Sequence, residues 1–221
     1  AAETIARATP DLASNGLTVV RISVDEIREC FLTTHLLELR DAIVGIELEI
    51  FSAHEHLDHE SRKSDIQIRS CLPDSETLIA KRVGRTGYGL YAAGGFIQAH
   101  KSEVKRSKVS ALPWIGLSPD HLWYPLQKKW LDEVFDPPST LRFNTMTAIA
   151  NAAQSGAGFA LLPHFLARRR HDLEEVSIDK ERLQTVEYLI VHRDLLREPA
   201  IRRTVDALTA IYKKHKPALA G

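Results

Sequence analysis

The sequence contains little cysteine and no long apolar run, and each absence excludes a class of protein. Two cysteines, Cys30 and Cys71, are too few for the disulfide framework of a small secreted domain. No apolar stretch approaches the ~18 residues of a membrane span, and the N-terminus lacks a basic segment followed by an apolar one. We therefore expect a protein of the reducing cytoplasm with no membrane contact. A mature secreted form whose signal has been removed is the alternative.

The chain also lacks an excess of charge of either sign. Lysine and arginine total 29, as do aspartate and glutamate, so no net positive field draws the chain to nucleic acid or acidic lipid. Any DNA binding would therefore need a further domain. The hydrophobic content of 44% and the charged content of 26% are typical of an ordinary globular protein.

The short motifs of common catalytic sites are absent as well. The sequence has no Gly-x-Ser-x-Gly elbow, no phosphate-binding loop and no paired set of zinc ligands. The pair Gly156-x-Gly158 lacks the third glycine of a dinucleotide-binding fingerprint. We predict that the chain is not an enzyme and that it uses no cofactor.

What is present is a repeated order of strand and helix over 221 residues, a length that suits two lobes of roughly 100 residues each. Residues 1–16 are interpreted as the end of a linker. Residues 17–84 and 190–221 are assigned to lobe I, and residues 85–189 to lobe II. In the first part of lobe I, alternating and β-branched runs predict strands and apolar residues at helical spacing predict helices. The predicted order is a strand at 17–23, a helix at 25–39, a strand at 45–51, a helix at 54–63 and a strand at 65–70.

The remaining elements continue the alternation. A hinge is expected near residues 84–91, where two glycines separate two predicted strands. Interleaved strands and helices predict parallel-rich sheets, with ligands at the C-terminal ends of the strands. The predicted strands are 78–83, 88–92, 114–117, 159–162 and 186–192, and the predicted helices are 96–100, 123–135, the segment that begins near residue 143, and 199–215.

The segment from Phe143 to Pro163, FNTMTAIANAAQSGAGFALLP, predicts a helix followed by a short buried strand. A helix start leaves backbone N–H groups unpaired and carries partial positive charge. Asn144, Thr145 and the first-turn amides therefore predict a cradle for a small acidic ligand. The alternative is that these two side chains only cap the helix.

Histidine, cysteine and tryptophan leave other interpretations open. The run HEHLDHE at residues 54–60 has donors that suit zinc, but it lacks the His-Glu-x-x-His spacing. We interpret it as a solvated helix face and predict no metal site.

Cys71 would sense oxidants only if the pKa of its thiol were lowered, and Cys30 is expected in the core. Three tryptophans are predicted to be core residues rather than a ligand wall, namely Trp114, Trp123 and Trp130.

Several blocks follow one another along nearly all of the chain from Leu17 onward. The first three are the opening strand and helix from Leu17, the segment RKSDIQIR at 62–69, and the crossover LYAA at 90–93. The last two are the helix, Gly-x-Gly turn and strand ending in Leu-Pro at 143–163, and a closing strand at 188–194 followed by a helix with Arg202 and Arg203. In this order and spacing, the blocks together resemble the effector-binding domain of LysR-type transcriptional regulators.

The resemblance implies an α/β fold of two Rossmann-like lobes with a central cleft, like that of type II periplasmic binding proteins, with a small effector in the cleft. It also implies a homodimer, with the strand at 45–51 and the helix from Asp25 as a plausible side of the contact. Promoter DNA would be bound only through a winged helix-turn-helix domain that is absent from this sequence. We expect the effector to be a carboxylate and to act by shifting the population of conformations.

The cleft positions of the family, carried over one at a time, give the candidate effector contacts. Where many relatives carry serine or threonine after the crossover strand, this chain has alanine and glycine, so only backbone amides could serve at Ala93. The candidates are Ser23, Val24, Ser70, Cys71, Ala93, Asn144, Thr145, Met146, Phe159 and His192. Two other hypotheses stay open, a free-standing solute-binding protein of the same fold and a metal-binding or catalytic protein of that shape.

Overall fold

The structure is a computed structural model that describes residues 17–53, 64–106, 108–118, 124–136 and 138–221. The strands are β1 (Thr18–Val24), β2 (Ile46–Ser52), β3 (Ile66–Arg69), β4 (Leu78–Ala93), β5 (Ile115–Leu117), β6 (Leu141–Phe143), β7 (Ala160–Pro163), β8 (Leu173–Val176) and β9 (Gln184–His192). The α-helices are α1 (Glu26–Thr34), α2 (Leu36–Ala42), α3 (Gly94–Ala99), α4 (Lys101–Lys105), α5 (Pro125–Val134), α6 (Met146–Gln154), α7 (His164–Ala167), α8 (Pro199–Lys214) and α9 (Lys216–Ala220), and a 3-10 helix spans Arg193–Arg197. None of the helices in these ranges combines the length and the apolar character that a bilayer crossing requires.

The chain divides into two compact units. Unit 1 comprises Ala1–Val83 and Tyr188–Lys213, and unit 2 comprises Gly84–Glu187 and Lys214–Gly221. The sequence assigned everything from residue 190 to residue 221 to lobe I. The structure instead groups the last eight residues with unit 2, because α9 packs on α7 and on β4. Leu219 is 1% exposed, and a Cβ added at Gly87 of β4 would lie 2.3 Å from the backbone oxygen of Ala220.

Unit 1 is built on strands in the order β2-β1-β3-β9. Strand β1 pairs in parallel with β2 and β3, and β3 pairs with β9 in antiparallel fashion. The registers place Thr18 opposite Ile46, Ile22 opposite Ile66, and Arg69 opposite Tyr188. Burying one face of the sheet and of helices α1 and α8 removes apolar side chains from water, which is the main favourable term in folding. That core includes Val20, Ile22, Ile27, Phe31, Leu32, Ile66, Ile68, Leu208 and Tyr212.

Unit 2 contains β4 with antiparallel partners β7 and β8, and a second sheet in which β5 and β6 run parallel. The register places Tyr91 opposite Ala160 of β7 and opposite Glu175 of β8. Helix α6 buries the apolar stripe predicted from the sequence. The buried residues of that stripe are Met146, Ile149, Ala150 and Ala153.

The structure differs from several predicted elements. The helix expected at 25–39 is interrupted at His35, whose backbone N–H bonds to Leu32 O and ends α1. The strands expected at 78–83 and 88–92 form one continuous strand, β4, because the glycines between them remain in extended backbone. The sheets are mixed rather than mainly parallel, since β3, β4, β7, β8 and β9 take part in antiparallel pairs.

Some predictions fall on residues outside the described ranges. These are the linker end at 1–16, the helix at 54–63 with its HEHLDHE run, and Trp123. The other two tryptophans lie in the core as predicted, with Trp114 8% and Trp130 9% exposed.

Candidate functional site

The guanidinium group of Arg69 is hydrogen-bonded to the C-terminal end of β1. Ser23 is 1% exposed, and its hydroxyl accepts a hydrogen bond of 2.6 Å from Arg69 Nη2. Arg69 Nη1 donates to the backbone oxygens of Ser23 at 2.8 Å and of Ile68 at 2.9 Å. Ser23 lies opposite Gln67 in the β1–β3 pair, so Arg69, two residues further along β3, reaches back to it. Ser23, predicted as an effector contact, therefore also anchors Arg69.

The start of helix α1 is capped by its own carboxylate. Asp25 Oδ1 accepts a hydrogen bond of 3.0 Å from the backbone N–H of Arg28. The same carboxylate forms an ion pair with the Arg28 side chain, which is 3% exposed. Val24, which precedes the cap, is fully buried. Negative charge at this helix start thus comes from the chain itself.

Burial lowers the pKa of Arg69, because removal of water disfavours its charged form. Asp25 acts in the opposite direction by attraction, and Arg28 lowers the pKa further by repulsion. Two guanidinium groups and one carboxylate therefore influence each other at the ends of β1 and β3.

The predicted contacts that follow β3 and β9 differ in exposure. Ser70 and Cys71 are exposed directly after β3. Both cysteines are free thiols, and Cys30 is half-buried rather than in the core, because it lies at the margin of the apolar face of α1. His192 ends β9 and caps the 3-10 helix, since its Nδ1 accepts a hydrogen bond of 3.3 Å from Asp194 N.

In unit 2, Thr145 is the N-cap of α6. Its backbone is extended, with φ −124° and ψ 142°, and its hydroxyl accepts a hydrogen bond of 3.2 Å from Ala148 N. Asn144 beside it is exposed, whereas Met146 is 1% exposed and belongs to the core. The capping interpretation is therefore correct for Thr145, and its contact with an effector stays a prediction.

The Gly-x-Gly turn after α6 leads into a buried aromatic cluster. Phe159 is fully buried, and its ring lies 5.2 Å from that of Phe96 and 6.3 Å from that of Phe135, which stacks on Trp114. Its side chain belongs to the core of unit 2, and its contact with an effector also stays a prediction.

Ala93 precedes helix α3, where only backbone amides were expected to serve a ligand. The amide of Gly94 donates to the backbone oxygen of Asp172 at 3.2 Å, so this amide already has a partner. The carboxylate of Glu174 also lies close, since a Cβ added at Gly94 would be 2.4 Å from Glu174 Oε1. This helix start consequently faces negative charge of its own chain, unlike that of α6.

The structure thus brings Ser23, Val24 and Arg69 together in unit 1, with Ser70 and Cys71 continuing the chain from Arg69. In unit 2 the predicted contacts lie at two helix starts, Ala93 at α3 and the Asn144 to Met146 segment at α6. The sequence interpretation did not assign a role to Arg69. Its position could have been noticed, because β3 alternates buried isoleucines with Gln67 and Arg69 and ends on a cation.

Two α/β units linked by crossover strands, with helices following strands in each, define the class of type II periplasmic-binding-protein-like folds. A family model described as the LysR substrate binding domain matches residues 17–212. The chain belongs to this family. The predicted fold class and the predicted resemblance are both confirmed by this match.

Solved structures agree on the fold. The regulatory domain of CrgA, a LysR-type transcriptional regulator from Neisseria meningitidis, is 14% identical, with a TM-score of 0.64 over 88% of this chain and 98% of that one. The regulatory domain of CcmR from Synechocystis PCC6803 in complex with 2-PG is 17% identical, with a TM-score of 0.70 over 88% and 97%. The effector binding domain of QuiR in complex with shikimate is 14% identical, with a TM-score of 0.67 over 90% and 99%.

No match was found among curated protein sequences. The family is one of transcriptional regulators, so its match confirms the prediction that this chain is not an enzyme.

Proposed function

We propose that this domain senses a small anionic metabolite in the cytoplasm and controls transcription through a DNA-binding domain outside this sequence. The observation that carries the proposal is the match to the LysR substrate binding domain over residues 17–212. Two of the similar solved structures hold small molecules, 2-PG in CcmR and shikimate in QuiR. Shikimate is a carboxylate, in keeping with the ligand class expected from the sequence.

The local chemistry supports an anion. The end of β1 and β3 carries the half-buried cation of Arg69, and α6 offers a capped helix start whose partial positive charge favours a negative group. We propose that the effector contacts lie among the residues predicted from the sequence, with the Arg69 guanidinium added to them. An effector that binds one conformation better than another shifts the balance between them, and the DNA-binding domains respond to that shift.

We propose that the domain forms a homodimer through β2 and the predicted helix from Asp25, which the structure divides into α1 and α2. Strand β2 lies at the edge of its sheet, where its free side can meet another chain. Val44, 73% exposed, stands two residues before β2, and Leu37 of α2 is 66% exposed. Exposed apolar side chains beside an edge strand fit a contact with a second copy.

Sedimentation velocity tests the dimer. We expect concentration-dependent dimers of the wild-type domain and a shift to monomers in Val44→Glu. The matched control is Ile79→Glu, which places the same charge on another exposed apolar position of unit 1 that is 39% exposed. Monomers of the wild type at high concentration, or an equal response of the two variants, would contradict the proposed contact.

Thermal unfolding in the presence of a metabolite library tests the sensing function. A ligand at about 100 times its dissociation constant adds about 2.7 kcal/mol to the free energy of unfolding. The library contains small acids, neutral compounds and amines, and we expect stabilisation by acids. Stabilisation only by neutral or cationic compounds would reject the anionic effector, and no stabilisation by any compound would reject sensing by this domain.

A further inference from the structure

Arg69 is a half-buried cation whose hydrogen bonds go to neutral oxygen atoms. Its three bonds reach the hydroxyl and the backbone oxygen of Ser23 and the backbone oxygen of Ile68. Among the described residues, no carboxylate lies within ion-pair distance of its guanidinium. The carboxylate of Asp25 is bound to Arg28 and to the α1 backbone. A desolvated charge of this kind is costly unless something compensates for it.

Two of the five N–H groups of the Arg69 guanidinium remain available to a ligand, and they are inferred to lie on the same edge of the group. An arginine carries five N–H groups in a fixed planar fork. Both bonds to backbone oxygens come from Nη1, and Nη2 makes one bond, to Ser23 Oγ. Within the described part of the chain, the Nε–H group and the second N–H of Nη2 make no hydrogen bond. Because Nη1 and Nη2 both bond to Ser23, the remaining N–H of Nη2 is inferred to be the one beside Nε–H, and this pair has the arrangement that binds both oxygens of a carboxylate.

The surroundings hold this edge in place. Three hydrogen bonds, two to Ser23 of β1 and one to Ile68 of its own strand, fix the plane of the guanidinium, so little side-chain entropy remains to be lost on binding. Arg69 stands at the C-terminal end of β3, where parallel strands of α/β folds present their ligands, and the exposed Ser70 and Cys71 follow it.

We propose that Arg69 is the carboxylate-binding residue of unit 1, with Ser23 as the residue that positions it. The inference rests on the proposed sensing function and specifies which group recognises the anion. Ser23, only 1% exposed, therefore acts on the effector through the guanidinium that its hydroxyl and backbone oxygen hold in place.

The test measures the binding of benzoate, shikimate and citrate to the whole domain by thermal unfolding and calorimetry. The primary amide of each acid is measured as its neutral control. Arg69→Gln removes the charge, and Arg69→Lys keeps the charge but loses the fork. The matched control is Arg82→Gln, which changes the net charge equally at an exposed position of unit 1. We expect the acids to bind the wild type and the control alike, the amides to bind neither, and Arg69→Gln to weaken acid binding by about 10- to 100-fold. Arg69→Lys should fall between them.

A second readout does not need a tight ligand. The side-chain Nε–H resonance of Arg69, assigned by its loss in Arg69→Lys, should shift when the acids are added and stay in place with the amides. Acids that bind Arg69→Gln as tightly as the wild type would overturn the role of Arg69 and leave the sensing function intact. An Arg69 resonance that no acid perturbs would also overturn it. If no compound of any class binds the domain, the sensing function itself fails.

Discussion

The two glycines of the Gly-x-Gly turn, Gly156 and Gly158, allow the loss of stability in Gly158→Ala to be compared with that in Gly156→Ala. Gly158 has φ +151°, and a Cβ added there would lie 2.6 Å from Pro113 O and 2.8 Å from Pro113 C. Both atoms are backbone, and two hydrogen bonds hold the segment in place, from Phe159 N to Pro113 O at 3.0 Å and from Ile115 N to Phe159 O at 2.8 Å. A methyl group must therefore push Gly158 away from the backbone of Pro113, that is, separate the two segments that lead into β7 and β5. Overpacking costs about 1–3 kcal/mol, and loss of one backbone bond adds about 1 kcal/mol.

Gly156 provides the control, because its φ of +84° disfavours alanine but nothing lies within 4 Å of an added Cβ. Gly156→Ala should cost about 1 kcal/mol, the left-handed penalty alone. With about 2–4 °C per kcal/mol for a chain of this size, we expect melting temperatures lower by about 3 °C for Gly156→Ala and by about 10 °C for Gly158→Ala. Circular dichroism during heating measures both. Equal decreases, or a larger one for Gly156→Ala, would refute the steric reasoning.

Two further predictions concern buried polar groups of unit 2. Ser139, 8% exposed, accepts hydrogen bonds from Gly116 N at 3.1 Å and Leu141 N at 3.2 Å, so Ser139→Ala should lower the free energy of unfolding in urea by about 2 kcal/mol. The matched control is Thr140→Ala, which removes the hydroxyl of the exposed next residue and should change the free energy of unfolding little; similar values for the two variants would contradict the role of the Ser139 hydroxyl. His164, 1% exposed and bonded through Nδ1 to Tyr91 OH at 2.8 Å, has its pKa lowered by burial from 6.5. The unfolded chain then binds the proton more readily, so the wild type should be fully stable above about pH 6.5 and lose stability as the pH falls below that value. His164→Gln should reduce this dependence, and an unchanged pH profile would show that another group causes it.

Local patterns were sufficient to predict much of each unit. The alternation in β2 and the β-branched run in β1 each gave the correct strand, and the stripe Met146 to Ala153 gave the buried face of α6. These features depend on residues within a few positions of one another, where side-chain periodicity reports the backbone directly.

Features that depend on distant residues were not predicted. Strand β4 is paired with three strands far along the chain, β7, β8 and β9, and no local pattern encodes these pairings. The docking of α9 on Gly87 and the bond between Arg69 and Ser23, 46 positions apart, are of the same kind. The prediction that Ser23 contacts an effector did not include Arg69, because a local sequence pattern does not show which side chain of a neighbouring strand lies beside it.

The two features proposed to bind an anion, the Arg69 guanidinium and the start of α6, can be ranked by the free energy that each would contribute. A helix start stabilises a nearby negative charge by about 0.3–1 kcal/mol, whereas a hydrogen bond to a charged group contributes about 1.5–3 kcal/mol. The hydroxyl of Thr145 already accepts a bond from Ala148 N, so Thr145→Val should lower the free energy of unfolding by about 1 kcal/mol through loss of the cap, and Thr145→Ser should retain it. Thr145→Val should weaken acid binding less than tenfold, which is less than the effect of Arg69→Gln. Urea unfolding measures the loss of stability in Thr145→Val, and calorimetry measures its effect on acid binding. If Thr145→Val abolished acid binding while Arg69→Gln left it intact, the ranking would be reversed, and the helix start rather than the guanidinium would be the principal anion site.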